Sequence, residues 1–340
     1  IGCLPGMPET PFFLVAGAFL FFALLAGSKA EETALSAKER RFEPKLIALI
    51  EINLPRTSAA ALWREGKLEN ALHEFRAAIY ESMGLILPLP EVKLTDDQEL
   101  AAYIRLRGVK VKQIGVEGLA GKQMADALLA DLRKIVKENA CELIDDIMTR
   151  RALDFLDKEA PELAATVVPG IVTVTQLTEV LKGLMSEEVS IRNFEQILQS
   201  MAEFGPKVSG ERALLEEARV GLRRVICSRF ADSSGEIAAF ALSPAIELSF
   251  LKAERENEAL NTDYIELIAR FLAGREIGKR VLITSKGARA ILSQCLRVKE
   301  LSIPVLAYEE VAHLYQLRVE ETIGSDQAAS EEEIIEALAA

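Results

Sequence analysis

"SIRNFEQILQSMAEFG", residues 190–205, reads as a helix on three separate signals. Ser190 stands where an N-cap is wanted and Gly205 where a stop is wanted. Between them Ile191, Phe194, Ile197, Leu198, Met201 and Phe204 recur at three- and four-residue spacing and make one apolar stripe. A stripe that broad must be buried against other elements. From Gly121 to about Phe230 almost every periodic signal is helical, so helices are its expected neighbours.

Outward from that block the period changes. Upstream, "LIALIEIN" (46–53) looks like a strand and residues 67–84 like an amphipathic helix closed by Gly84. "LILPLPEVKL" follows, then "ELAAYIRLRGVKV", with Leu100, Ala102, Ile104 and Leu106 alternating onto one face. This β-α-β-β order suggests a small split unit resembling a ferredoxin-like half. Downstream, "EIAAFALS", "RVLITS" and "IPVLAYEE" are short strands separated by helices at 262–273 and 285–296, a second α/β unit. No internal repeat is visible. The expected fold class is therefore α+β. Its expected divisions are a first α/β unit with following helices (45–157), a helical unit (158–230), a C-terminal α/β unit (231–325) and an acidic tail (326–340).

The N-terminal stretch "PFFLVAGAFLFFALLAGSKAEE" (11–32) sets the compartment. Residues 12–27 carry no charge, Phe12, Phe13, Phe19, Phe21 and Phe22 point all round a helix axis, and Phe12, Phe13, Phe19, Phe22 and Leu25 are the expected span residues. A signal peptide needs a basic region first, and residues 1–11 hold no Lys or Arg. A core helix would show a polar edge. A membrane span fits, with Thr10 and Pro11 starting the helix early and Lys29 snorkelling at its end. Residues 1–29 are thus expected to be a transmembrane helix with its lead-in, and 30–44 a charged linker. Lys29, Lys38, Arg40, Arg41 and Lys45 all follow the span, which places the C-terminal side in the cytoplasm. Cys3, Cys141, Cys227 and Cys295 are scattered without framework spacing, as reduced thiols would be. The chain begins at Ile1, as expected of a piece of a longer protein.

Chemistry is sparse. The net charge of −12 argues against nucleic acid as a partner. His73 and His313 read as surface or packing residues, and no HExxH, GxSxG or Cys–His signature occurs. "GVEGLAGKQ" around Lys122 fails as a phosphate loop, because Val116 replaces its first glycine and Gln123 its Ser or Thr. Asp96–Asp97 read as a turn and Asp145–Asp146 as a wet helix face. No catalytic residue, cofactor or metal is expected, and the chain reads as a membrane-anchored docking or assembly module rather than an enzyme.

Several stretches in order resemble the FlhA/SctV family, the export-gate protein of bacterial type III secretion systems. "PGMPETPFFLVAGAFL" resembles its last transmembrane helix. "ELAATVVPGIVTVTQLTEVLKGLMSEEVSIRNFEQIL" resembles its "LVP…L..VL..LL.E.V.IR….IL" region. "EEARVGLRRVICSRF" with "LSPAIE", then "VLITSKGARAIL" and "IPVLAYEEV", resemble its closing segments, although Ala307 stands where the family usually has Ser. "VVPGIVT" and "QLRVEETIG" lean toward the flagellar branch. The resemblance implies a bacterial inner-membrane protein whose cytoplasmic body forms a homo-oligomeric, nonameric ring. It further implies other export-gate membrane proteins, the export ATPase stalk and chaperone-bound secreted substrates as partners. The helical unit would supply most subunit contacts, with Glu188, Arg192 and Asn193 the candidate interface residues. The local alternative is that Arg192 pairs with Glu188, four residues earlier on a helix. One departure bears on the chaperones: only about a dozen residues separate "YIRLRGVKV" from the helix near Gly121, where the family usually inserts a small subdomain that helps form the chaperone groove.

Overall fold

The structure, a computed structural model, describes residues 46–56, 67–95, 101–115, 122–256 and 262–324. The expected span with Phe12, Phe13, Phe19, Phe22 and Leu25, the linker and the acidic tail lie outside the described residues. Among the described residues no helix is long and apolar enough to cross a membrane. The chain divides into two units, Ile1–Ala48 and Leu49–Ala340, and all the helices and strands described belong to the second.

The first sheet comprises β1 (Ile50–Pro55), then after helix α1 (Lys67–Met83) the strands β2 (Glu91–Thr95), β3 (Ala101–Leu106) and β4 (Val109–Gly115), in the order β2-β1-β3-β4. β1 starts later than the pattern suggested and is buried along its length. "LILPLPEVKL" is strand only from Glu91, because Pro88 and Pro90 have no N–H to give a ladder. β1 pairs with β2 in parallel, Ile52 opposite Val92, and with β3 antiparallel, Ile52 opposite Ile104. The ferredoxin-like expectation is corrected here. A split unit places another strand between the two that the helix joins, whereas β1 and β2 hydrogen-bond directly. The stretch read as one alternating strand is in fact a hairpin, turned at Arg107 and Gly108 with φ of 47° and 82°. Two positive φ values suit a two-residue turn between twisted strands.

A run of helices follows: α2 (Lys122–Glu138), α3 (Ala140–Leu143), α4 (Asp146–Leu156), α5 (Pro161–Val167), α6 (Val174–Ser186), α7 (Phe194–Phe204), α8 (Glu211–Gly221) and α9 (Arg223–Phe230). Asp145 caps α4, accepting from Met148 N at 2.8 Å, so it is not the wet helix face the sequence suggested. Thr173 and Gln176 form a capping box on α6. α7 begins at Phe194 rather than after Ser190. Ile191 N donates to Met83 O at 3.0 Å, which ties residues 190–193 to the end of α1, and Ser190 Oγ accepts from Arg192 N at 3.3 Å instead of capping. At Gly221 the helices α7 and α8 approach so closely that a Cβ would lie 1.8 Å from Ser200 Oγ.

The second sheet is parallel throughout, in the order β7-β6-β5-β8. Its elements are β5 (Glu236–Leu242), α10 (Pro244–Glu256), α11 (Thr262–Leu272), β6 (Val281–Thr284), α12 (Lys286–Val298), β7 (Val305–Ala307) and β8 (Gln316–Ile323). Alternation along β5 divides the interior in two. Ile237, Ala239 and Ala241 join a core that runs through α7 and α8 back to β1. Phe240 and Leu242 face a second core with Phe250, Ile268 and Leu292.

Candidate functional site

Glu188, Arg192 and Asn193, the expected interface residues, occupy the connection between α6 and α7. Glu188 takes a left-handed φ of 58° as α6 ends. The segment is not helical, so Arg192 and Glu188 do not pair four residues apart as on a helix; that reading is corrected. Arg192 reaches α1 instead, with Nη2 2.5 Å from Glu81, both side chains about half exposed. Glu188 pairs with Arg229 of α9 at 3.2 Å, and its carbonyl accepts a second Arg229 hydrogen bond. Asn193 precedes α7 without capping it through its side chain. Gly84 makes this seat. Its φ is 82°, and a Cβ there would lie 2.2 Å from Arg192 N. Arg192 and Asn193 then rim a cleft of about 330 Å³ that also meets Tyr80 and Phe155. Phe155 is 59% exposed, a large apolar side chain offered to solvent on α4.

A second constellation, not singled out from the sequence, lies inside. Arg219 of α8 grips Glu310 with two hydrogen bonds, Nε to Oε1 at 2.6 Å and Nη2 to Oε2 at 2.8 Å. Its Nη1 reaches Glu187 Oε2, at the end of α6, at 2.6 Å. Arg289 of α12 holds Glu216 of α8 in the same forked way and reaches the same Glu187 oxygen at 2.7 Å. Arg219 and Glu216 are one helical turn apart, so α8 presents both signs of charge to the C-terminal unit. Arg297, at the rim, approaches Glu187 at 3.8 Å. Arg289 and Glu310 have no exposed surface.

The network works because each charge is met by fixed partners. Burial pushes the Glu187 carboxyl up, but Arg219 and then Arg289 overcome it and hold the group below its ordinary value. At Glu216 burial prevails over Arg289 and the value is raised. Burial opposes the Arg289 charge, yet Glu216 and Glu187 more than offset it and raise its value. The junction fastens the C-terminal sheet to the helices. Glu187, Arg219, Arg289 and Glu310 are each a charged position in the stretches that carry the family resemblance, and that was the signal available. Among the described residues no three His, Cys, Asp or Glu side chains converge as metal ligands would.

The sequence pattern of the FHIPEP family matches residues 110–316. The flagellar biosynthesis protein FlhA of Yersinia enterocolitica is 23% identical across 95% of this chain, which spans 56% of that relative's length. Its alignment runs over 391 positions, more than the 340 residues present here, so the relative carries residues this chain lacks. The nonameric SctV-C of EPEC, solved by cryo-EM, matches the fold with a TM-score of 0.70 at 19% identity, covering 83% of this chain and 100% of its own. CdsV of Chlamydia pneumoniae, solved in complex with CdsO, matches with a TM-score of 0.70 at 18% identity, covering 83% and 99%.

Proposed function

The chain belongs to the FHIPEP family, and from that premise we propose that it is a component of the inner-membrane export gate of a bacterial type III secretion apparatus. The observation that carries the proposal is the family match across residues 110–316, which takes in β4, the helices from α2 onward, the buried junction and strands β5 to β7. Membership also sets aside an unrelated membrane-anchored scaffold as the alternative. The span expected at residues 12–27 would anchor the chain beside other export-gate membrane proteins, with the described unit in the cytoplasm.

In this reading the described unit assembles with copies of itself as a ring. The nonameric state of a protein sharing the fold supports this, and the exposed seat of Arg192 and Asn193 offers a surface for it. The role is docking rather than catalysis. The export ATPase stalk is the partner favoured for the C-terminal unit, and the CdsV–CdsO complex supports a protein partner on this fold. Chaperone-bound substrates are expected to dock weakly, since the relatives carry residues this chain lacks. The test is genetic. In its own host, deletion of the gene should stop export of type III substrates and leave signal-peptide-dependent secretion intact. Unchanged type III export would overturn the proposal.

A further inference from the structure

A cleft of about 520 Å³ opens where α1, α2 and the end of α6 meet α9. Its apolar floor includes Ile79, Met83 and Met185, and its rim carries Arg133, Lys137 and Arg229. Arg133 and Lys137 lie four residues apart on one face of α2. Among the described residues neither has a carboxylate partner, whereas Lys134, between them in sequence, is paired with Glu138 at 3.8 Å. Glu188 is the acid lining the cleft, and Arg229 already engages it. Two cations over an apolar floor, without carboxylate partners among the described residues, are an odd feature in a chain of net charge −12.

The same chain holds the complementary segment. Residues 326–340, "DQAASEEEIIEALAA", carry five acids and no base, with Ile334, Ile335 and Leu338 at three- and four-residue spacing behind the Glu331–Glu333 run. We propose that this acidic tail docks in the cleft of its own chain. Carboxylates of Glu331–Glu333 meet Arg133 and Lys137, and Ile335 and Leu338 cover Met83 and Met185. Reach allows it. β8 pairs in parallel with β5, Leu242 opposite Ile323, so the tail departs one strand length from the start of β5, which closely follows Arg229. A seven-residue strand is about 23 Å long, and the eleven residues from Ser325 to Ile335 extend to at most about 36–40 Å. The docking is independent of the export role.

Carbodiimide coupling on the full chain tests the idea, because it joins carboxylates to lysines only in contact. At low salt, peptide mapping should find Lys137 joined to Glu331, Glu332 or Glu333 as the dominant tail product, with severalfold lower yield at 1 M salt. Arg133→Glu, an exposed change, should lower that yield severalfold with the circular dichroism spectrum unchanged. Lys137→Arg, which keeps the charge, should abolish the product while the tail remains protected from protease as in wild type. Coupling spread evenly over surface lysines, or indifferent to Arg133→Glu, would overturn the proposal. Products formed solely between isotopically distinct copies would also overturn it, assigning the cleft to a second copy.

Discussion

Arg289 sits at 0% exposure with Glu216 and Glu187 as its partners; removing it leaves the buried Glu216 carboxylate without its hydrogen-bonded cation, while Glu187 keeps Arg219. Breaking one side of such a pair costs about 3–5 kcal/mol, so Arg289→Met should lower unfolding free energy by that order in urea titration; a loss under about 1 kcal/mol would mean that water reaches the junction. The two glutamates should respond oppositely to pH. Glu187 is depressed in the fold, so its contribution is present above the unfolded value, about 4.3, and fades as pH falls through the folded one. Glu216 is raised, so its contribution is present below the unfolded value and lost as pH rises through the folded one. Glu187→Gln should therefore cost more than Glu216→Gln at pH 7, and the gap should narrow below about pH 4.3. Arg192 is the opposite case, a half-exposed pair with Glu81 worth about 0–1 kcal/mol. Arg192→Glu should leave the melting temperature within a few degrees while shifting sedimentation of the assembled body toward smaller species. An unchanged profile would leave Arg192 with no role in the ring.

At the scale of elements, the α6–α7 connection depends on Gly84. Alanine there meets both a left-handed φ and a backbone atom at 2.2 Å. The conformation alone costs about 1–3 kcal/mol for a residue with a side chain. Gly84→Ala should destabilise by at least that much and raise hydrogen exchange at Ile191, whose N–H bonds to Met83; protection equal to wild type would show that the seat does not depend on this approach. The same region shows what was legible. The α7 stripe was readable because burial on one helical face leaves a period of 3.6, and Ile197, Leu198 and Met201 are indeed buried. Its start was not, because a tertiary bond from Ile191 competes with the cap that Ser190 would have made. The β3–β4 hairpin was hidden because Arg107 is a poor signal for positive φ. β8 was missed as a strand because in "QLRVEETI" the alternation of Leu317 and Val319 breaks at Glu321, and this edge strand is exposed over most of its length. Glu187, Arg219, Arg289 and Glu310 were read past because charges are assigned to the surface by default, and nothing local marks a buried pairing between residues as far apart as 102 positions.

For the whole molecule, the balance of surfaces decides which partners it meets. The described unit matches nearly the entire length of solved bodies of this fold, while the FlhA relative has residues with no counterpart here. A subdomain that helps build a chaperone groove is the expected omission, so under the proposed function the remaining docking surface would come from the first sheet with its helices and from the C-terminal unit. In the proposed role, the excess of acids over bases would raise the rate at which a cation-rich partner arrives, through a field that salt screens. The screening length falls from about 10 Å at 0.1 M salt to about 3 Å at 1 M. Titrating the full chain with the export ATPase stalk protein, and separately with flagellar-type chaperone–substrate complexes, reads both expectations. Stalk affinity should drop at least about tenfold, near 1.4 kcal/mol, between low and high salt, and chaperone complexes should bind weakly at either. Tight chaperone binding with no response to the stalk would reverse this assignment and place the docking groove on the first sheet and its helices.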